Sequence, residues 1–501
     1  MLVGTDVAAA AAAIEPYPVF ALGLNCATGP DGMKSHIRWL SRNWPGRISC
    51  VPNAGIPQVV SGRTVYPLSP EAFARELAAF VAEDGVTVVG GCCGTTPEHI
   101  RRLAQGLANV RLPERDVRWK PALSSLYQAV EIRQEIPPLL VGERANANGS
   151  RAFRERLLAD DYAGALRIAL RQQDDGAHAA DLCTAYAGRD EKADLTALTR
   201  LFARSLRIPT VIDSTSPDVV EEALRIHPGR CLVNSVNLED GGKNLSRICR
   251  AAKRYGAAVV ALTIGEKGMA MTADEKLAVA RAIRDLAVGE YGLRPHDLLF
   301  DALTFTIGSG EPTLRDAAVQ TLEAIRRIKR EIPGASTLLG VSNISFGLSP
   351  ASRRILNSVF LHEAIEAGLD AAIVDAAKIL PLARIPEEDR RVCLDLIRNR
   401  EREDGRTPLE AFIAHFSEKK EEEAAGSGGD GPAAGPPEQA LAAKVAAGDK
   451  EGLEDLLTIL LSRRPAASVI NEVLVPAMRH VGELFGRGEM LLPFVLQSAE
   501  V

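Results

Sequence analysis

Leu139-Leu140-Val141-Gly142-Glu143-Arg144-Ala145-Asn146 is an apolar run that breaks at a glycine into charged and amide side chains. Short apolar runs of this kind read as strands of a parallel sheet, buried on both faces. This one opens a series. Candidate strands end at Gly142, Thr184, Asp213, Val236, Thr263, Asp301, Ser342 and Asp375, and each is followed by a stretch with helical apolar spacing, such as 192–204, 273–288 and 350–367. Eight strand–helix units over roughly 265 residues match a complete (β/α)8 barrel, which takes about 250.

Upstream the same alternation stops short of a count of eight. Strand candidates lie at 19–25, 47–52 and 86–91, and helix candidates at 31–43, 69–83 and 97–108. Three such units cannot close an eight-stranded barrel. Residues 1–112 are therefore expected to be the C-terminal part of another (β/α)8 barrel, entered through a short helix over 6–14. Residues 113–136, with Pro113 and Pro121, read as a connector, and 137–405 as the complete barrel. Residues 406–437 read as a flexible linker, since a charged run at 418–423 passes into a Gly-, Ala- and Pro-rich stretch. Residues 438–501 show helical spacing at 438–447, 451–463 and 466–485, with a further helix starting near Pro493, and suggest a truncated helical bundle. The fold class is α/β with this helical tail.

Bulk properties narrow the function. A formal net charge of −6 over 501 residues leaves no basic footprint for nucleic acid. The apolar run near the start is mostly alanine and too short to span a bilayer, so no membrane partner is expected. Eight cysteines are too few for a disulfide scaffold, which points to a reducing, cytoplasmic setting.

Three of those cysteines stand at strand ends: Cys26 in Gly23-Leu24-Asn25-Cys26-Ala27, and the pair in Gly90-Gly91-Cys92-Cys93-Gly94-Thr95-Thr96-Pro97. Three thiolates can hold zinc and leave its fourth position open, which suits the capture of a substrate thiol as thiolate. A buried cysteine can also be an inert small hydrophobe, the expected role of Cys50, Cys183, Cys231, Cys249 and Cys393. In the complete barrel the strand ends carry Glu143, Asn146, Asp181, Asp213, Asn234, Asp301, Asn343 and Asp375. Active sites of such barrels lie at those ends. Any single member, Asp213 or Asp375 above all, could equally cap a helix or form a turn. As a set, carboxylates and amides suit a flat ligand rich in donors and acceptors, such as a pterin.

The segments Val141-Gly142-Glu143-Arg144-Ala145-Asn146, Asp213-Ser214-Thr215, Asn234-Ser235-Val236 and Gly340-Val341-Ser342-Asn343-Ile344-Ser345-Phe346-Gly347-Leu348 resemble the pterin-binding methyltransferase barrel. Gly23-Leu24-Asn25-Cys26-Ala27-Thr28-Gly29-Pro30, Pro52-Asn53-Ala54-Gly55 and the Cys92-Cys93 segment resemble the homocysteine S-methyltransferase barrel. Those barrels in this order, followed by a helical cap, resemble the cobalamin-dependent methionine synthase family. The resemblance implies methyl transfer from 5-methyltetrahydrofolate via cobalamin (as methylcobalamin) to zinc-bound homocysteine, giving methionine and tetrahydrofolate. It implies Cys26, Cys92 and Cys93 as zinc ligands. It implies Glu143, Asn146, Asp181, Asp213, Asn234, Asp301 and Asn343 as pterin contacts, with Asn343 in the network that favours protonation of the leaving amine at N5. Phe485 and Leu492 are implied as cobalamin-cap contacts, though apolar residues on bundle helices are as often core. The Asp-x-His-x-x-Gly signature of the main corrinoid-binding domain is absent from the chain, so that domain is expected as a partner in cis or in trans. The chain is expected to act as a monomer. The alternative is a pterin-dependent methyltransferase delivering methyl to a separate corrinoid protein. A non-catalytic folate- or corrinoid-docking module and a dihydropteroate-synthase-like enzyme are further readings, and the latter leaves the three cysteines unexplained.

Overall fold

The computed structural model describes residues 4–400, 404–426, 436–450, 452–487, 490, 495 and 498–501, without the side chains of 418–426 and 447. It divides into two compact units, Met1–Glu131 with Pro228–Cys231, and Ile132–His227 with Leu232–Val501.

The first unit contains a three-stranded parallel sheet in the order Ala21–Asn25, Arg47–Val51, Val88–Val89. Leu22 pairs with Ile48, and Ser49 with Val88. Each strand leads to a helix: Pro30–Asn43, Pro70–Asp84 and Pro97–Leu107. All three helices begin on proline, whose preset φ suits the first turn and whose missing N–H would be unpaired there anyway. The helices bury Met33, Ile37 and Leu40, then Phe73, Leu77 and Phe80, against Ile48 and Cys50. Each such large side chain contributes about 1.5–3 kcal/mol by leaving water. Two hairpins were not expected from the sequence. Gln58–Val60 pairs with Arg63–Val65 across Ser61 and Gly62, both at positive φ, the geometry that a two-residue hairpin turn requires. Ala122–Ser124 pairs with Ala129–Glu131, so the expected connector over 113–136 contains its own local sheet.

The second unit holds a closed, all-parallel barrel of eight strands in chain order. They are Leu139–Asn146, Ala179–Cys183, Thr210–Asp213, Leu232–Val236, Ala258–Leu262, Leu298–Asp301, Ser336–Gly340 and Ala371–Val374. The ring closes where Ala371 pairs with Leu139. The sequence count of eight is therefore met. Two ends differ from expectation by more than one residue. The first strand runs on past Gly142 to Asn146 through a register shift between Gly142 and Ala145, with Arg144 N donating to Gln172 Oε1 at 2.6 Å. The seventh stops at Gly340 because Val341–Ser345 winds into a short 3-10 turn.

The expected flexible linker over 406–437 starts instead as a helix, Pro408–Gly426. Thr407 caps it by exchanging hydrogen bonds with Glu410, and the Glu- and Lys-rich run that follows is a good helix former. The remainder of that stretch, 427–435, lies outside the described residues. Beyond it, Pro437–Ala447 and Leu453–Arg463 pack with a longer helix that runs Ala466–Val469, Ile470–Leu474 and Val475–Gly486 around Leu441, Val445, Leu460, Val469 and Val473. Its middle section widens to a π turn just before Pro476, which has no N–H to continue the α-helical ladder. Among the described residues no helix is long and apolar enough to cross a membrane.

Candidate functional sites: a thiol trio and a polar barrel mouth

In the first unit the ends of the parallel strands bring Cys26, Cys92 and Cys93 together. Cys93 Sγ lies 3.8 Å from Cys26 Sγ and 3.9 Å from Cys92 Sγ, and all three sulfurs fall within 4.8 Å of one another. A tetrahedral ion with metal–sulfur bonds of about 2.3 Å needs sulfurs about 3.8 Å apart. The two separations that share Cys93 meet that spacing. Cys26 and Cys92 are half-buried and Cys93 is exposed, so a ligand can reach the fourth position.

The backbone holds this arrangement tightly. Cys26 and Ala27 both sit at positive φ, 59° and 62°, an unfavourable pair for non-glycine residues. Cys26 N donates to Val51 O at 2.9 Å, and Cys92 N to Pro52 O at 2.8 Å. Buried Asn53 accepts from Cys93 N at 3.1 Å, and Ala54 N donates to Cys93 O at 2.9 Å. Gly94, at φ 79°, lets Tyr66 lie so close that a Cβ would overlap its Cβ and Cγ. Without a cation the thiols compete. The Ala27 amide and the neighbouring thiols push Cys26 down, whereas hydrogen bonding to Cys26 and burial push Cys92 up. A divalent ion is what lets all three ionise together.

In the second unit the mouth of the barrel assembles the polar strand ends. Asn146 Nδ2 donates to Asp181 Oδ2 at 3.2 Å and to Asp213 Oδ2 at 3.1 Å. Its own Oδ1 accepts from the amides of Asn148 and Gly149, which fixes the direction of the amide. Asp181 is buried and its Oδ1 has no hydrogen-bond partner among the described residues. Burial pushes it up to about 6 against the pull of the Asn146 amide. Burial and the nearby Asp181 charge raise Asp213 well above the carboxylate range. Asn234 is half-buried beside this pair, on the strand between Asp213 and Val260 in the ring. Asp301 is buried at the end of Leu298–Asp301, where burial lifts it to about 6. Asn343 lies exposed on the 3-10 turn, with its Nδ2 folded back over Gly340.

Glu143 and Asp375 fall into a different group from Asn146, Asp181 and Asp213. Ser342 Oγ donates to both oxygens of Glu143, at 3.2 and 3.0 Å, and burial raises the Glu143 carboxyl. Asp375 is engaged by Arg144 at 3.4 Å and Lys378 at 3.1 Å. These groups, with Arg353, Arg354 and Asn357, line a cavity of about 340 Å³. In the tail Phe485 is half-buried near the end of Val475–Gly486, whereas Leu492 and the helix expected near Pro493 lie outside the described residues. Sequence reasoning quoted Asn53 without a role of its own and missed Lys276. The signal for Lys276 was its register: it shares a helical stripe with Ala273, Leu277, Ala280 and Ile283, all buried.

The comparisons with known proteins fall on the same three regions. Residues 142–375 match the family model of pterin binding enzymes, 1–107 that of homocysteine S-methyltransferases, and 437–501 that of B12 binding domains. Methionine synthase of Mycobacterium tuberculosis is 47% identical over 504 residues, and that of Mycobacterium leprae 45% identical over 509. Over its whole length the chain is similar to these methionine synthases. All of it aligns with both relatives, and it spans 42% of the length of each. Among solved structures, a dihydropteroate synthase from Stenotrophomonas maltophilia aligns with 52% of this chain and 94% of its own, at 16% identity and TM-score 0.39.

Proposed function

We propose that this chain carries two of the sites for methyl transfer from 5-methyltetrahydrofolate, via cobalamin, to homocysteine, yielding tetrahydrofolate and methionine. The observation that carries the reading is the thiol trio, two of whose sulfur separations, 3.8 and 3.9 Å, match the edge of a zinc tetrahedron, with all three sulfurs within 4.8 Å of one another. Cys26, Cys92 and Cys93 would hold the ion. Zinc bound there supplies a Lewis acid that favours the thiolate form of a substrate thiol at neutral pH. The surrounding chain orients the ligands through Asn53 and the paired positive-φ residues, before any metal arrives.

At the barrel mouth the proposed pterin contacts are Glu143, Asn146, Asp181, Asp213, Asn234, Asp301 and Asn343. The orphaned Asp181 Oδ1 supports the fit, because the N–H and NH2 groups of a pterin ring are the donors it lacks. Asn343, exposed at the rim, would contact the N5 side of the ring and help it take the proton that makes the amine a good leaving group. Cobalamin supplies the methyl carrier, and its main binding domain would act as a partner in cis or in trans. Phe485 and Leu492 are proposed to belong to its helical cap. Eight free cysteines support a reducing, cytoplasmic setting, and a monomer is the proposed state.

Zinc-loaded chain is expected to bind homocysteine, and chelator-stripped chain or Cys93→Ala is not. All three forms are expected to bind methyltetrahydrofolate in calorimetry. Homocysteine binding that ignores the metal, or a well-folded chain that ignores the folate, overturns the proposal.

A further inference from the structure

We propose that Lys276 is a positioning residue of the pterin site, holding the turn that presents the Asp301 carboxylate to the bound ring; this rests on the folate reading above. Lys276 lies on the helix Ala273–Arg284 and is wholly buried. Its ammonium donates to the carbonyls of Ala302 and Leu303, and it lies 4.9 Å from the centroid of the Phe305 ring. An ammonium at this depth persists only where its donors are taken up.

The turn it grips is strained. Leu303 has φ 58°, a region that a residue with a Cβ adopts only under constraint. Nothing at Ala302 presets the backbone, so the shape has to be imposed from outside. Thr321 Oγ1, from the helix Ala317–Glu331, donates to Leu303 O at 2.8 Å and completes the clamp with Lys276. Held in this shape, Leu303 N donates to Asp301 Oδ1 at 2.7 Å and fixes one edge of the carboxylate.

Charge acts in the same direction as geometry. Burial lifts Asp301 to about 6, and the Leu303 amide and the Lys276 ammonium oppose it. Lys276 is itself pushed down to about 8 by burial, against Asp301 and Glu275. Glu275 is committed to the amides of Met271 and Thr272. The other strands flanking Asp301 offer it uncharged groups. Thr263 N and Oγ1 donate to its main-chain carbonyl at 3.0 and 3.1 Å, and Gly340 turns an amide N–H toward its carboxylate. Lys276 is thus the charged group acting on this carboxylate.

The test measures methyltetrahydrofolate affinity of the full chain between pH 5.5 and 7.5, for the unchanged protein, Lys276→Met, Lys276→Gln and Lys276→Arg. Lys276→Met is expected to bind on the order of tenfold more weakly at neutral pH, the scale of one lost charge-assisted contact. The pH below which affinity falls should also move upward, because Asp301 loses the charge that keeps it ionised. Lys276→Arg should keep that inflection near its original place. If Lys276→Met does not fold, Lys276→Gln, which keeps a donor and loses the charge, must show the upward move. A uniform loss at every pH, or unchanged binding in the Met or Gln variant, overturns the proposal. Failure of the unchanged chain to bind the folate overturns the folate reading instead, and this inference with it.

Discussion

Replacing Asn146 by alanine removes one amide that serves two carboxyl groups, buried Asp181 and half-buried Asp213. Its Nδ2 donates to Asp181 at 3.2 Å and to Asp213 at 3.1 Å, slightly long for charge-assisted bonds. At the lower end of each range, about 1.5 kcal/mol for the bond to ionised Asp181 and about 0.5 kcal/mol for that to Asp213, whose ionisation burial and Asp181 oppose, the two together contribute about 2 kcal/mol. For a barrel of this size that corresponds to a fall of roughly 4–8 °C in melting temperature. The loss should depend on pH with a definite sign. Burial holds Asp181 above its ordinary value, at about 6, while the amide pulls it down. Without the amide the value rises further. The amide's contribution is therefore fully present where Asp181 is ionised, and it fades as pH falls through 6. At pH 5 the amide faces neutral carboxyls and its loss should cost only about 1 kcal/mol. Scanning calorimetry of both proteins at pH 7.5 and pH 5 measures this directly. A destabilisation equal at the two pH values, or larger at pH 5, refutes the assignment of Asn146 as the donor that lets this pair carry charge.

Asp301→Ala and Asp213→Ala are expected to weaken methyltetrahydrofolate binding about tenfold or more, whereas Asn343→Ala should slow methyl transfer more than binding; equal binding losses in all three would contradict the rim role of Asn343. Gly94→Ala should lower zinc affinity by about ten- to a hundredfold, because its φ of 79° and the Tyr66 ring both exclude a Cβ beside Cys93; zinc retention equal to the parent in a chelator competition would refute that.

The barrel was legible because eight apolar runs, each followed by a helical repeat, leave few other solutions for burying both faces of every strand. The thiol trio was legible for a similar reason: Cys26 and Cys92-Cys93 sit at the ends of runs that become the two outer strands of one three-stranded parallel sheet. The linker was misread at its start because composition records the Gly- and Pro-rich centre and says little about a capped Glu/Lys helix leading into it. The hairpin Gln58–Val65 escaped because its strands are three residues long and exposed, without the alternation that marks a half-buried strand.

Residue order alone therefore determined which side chains stand at strand ends, and with them the chemistry available at each mouth. Register and loop path decided how those side chains were grouped. The extension of the first strand past Gly142 carries Asn146 to Asp181 and Asp213, and leaves Glu143 with Ser342 and Arg144 with Asp375. Lys276 shows the same division. Its helical register forecasts burial, but only the closed barrel brings its ammonium to the carbonyls of Ala302 and Leu303. Periodicity is a local property of the chain, whereas the partner of a buried charge is set by which distant strand end packing brings against it.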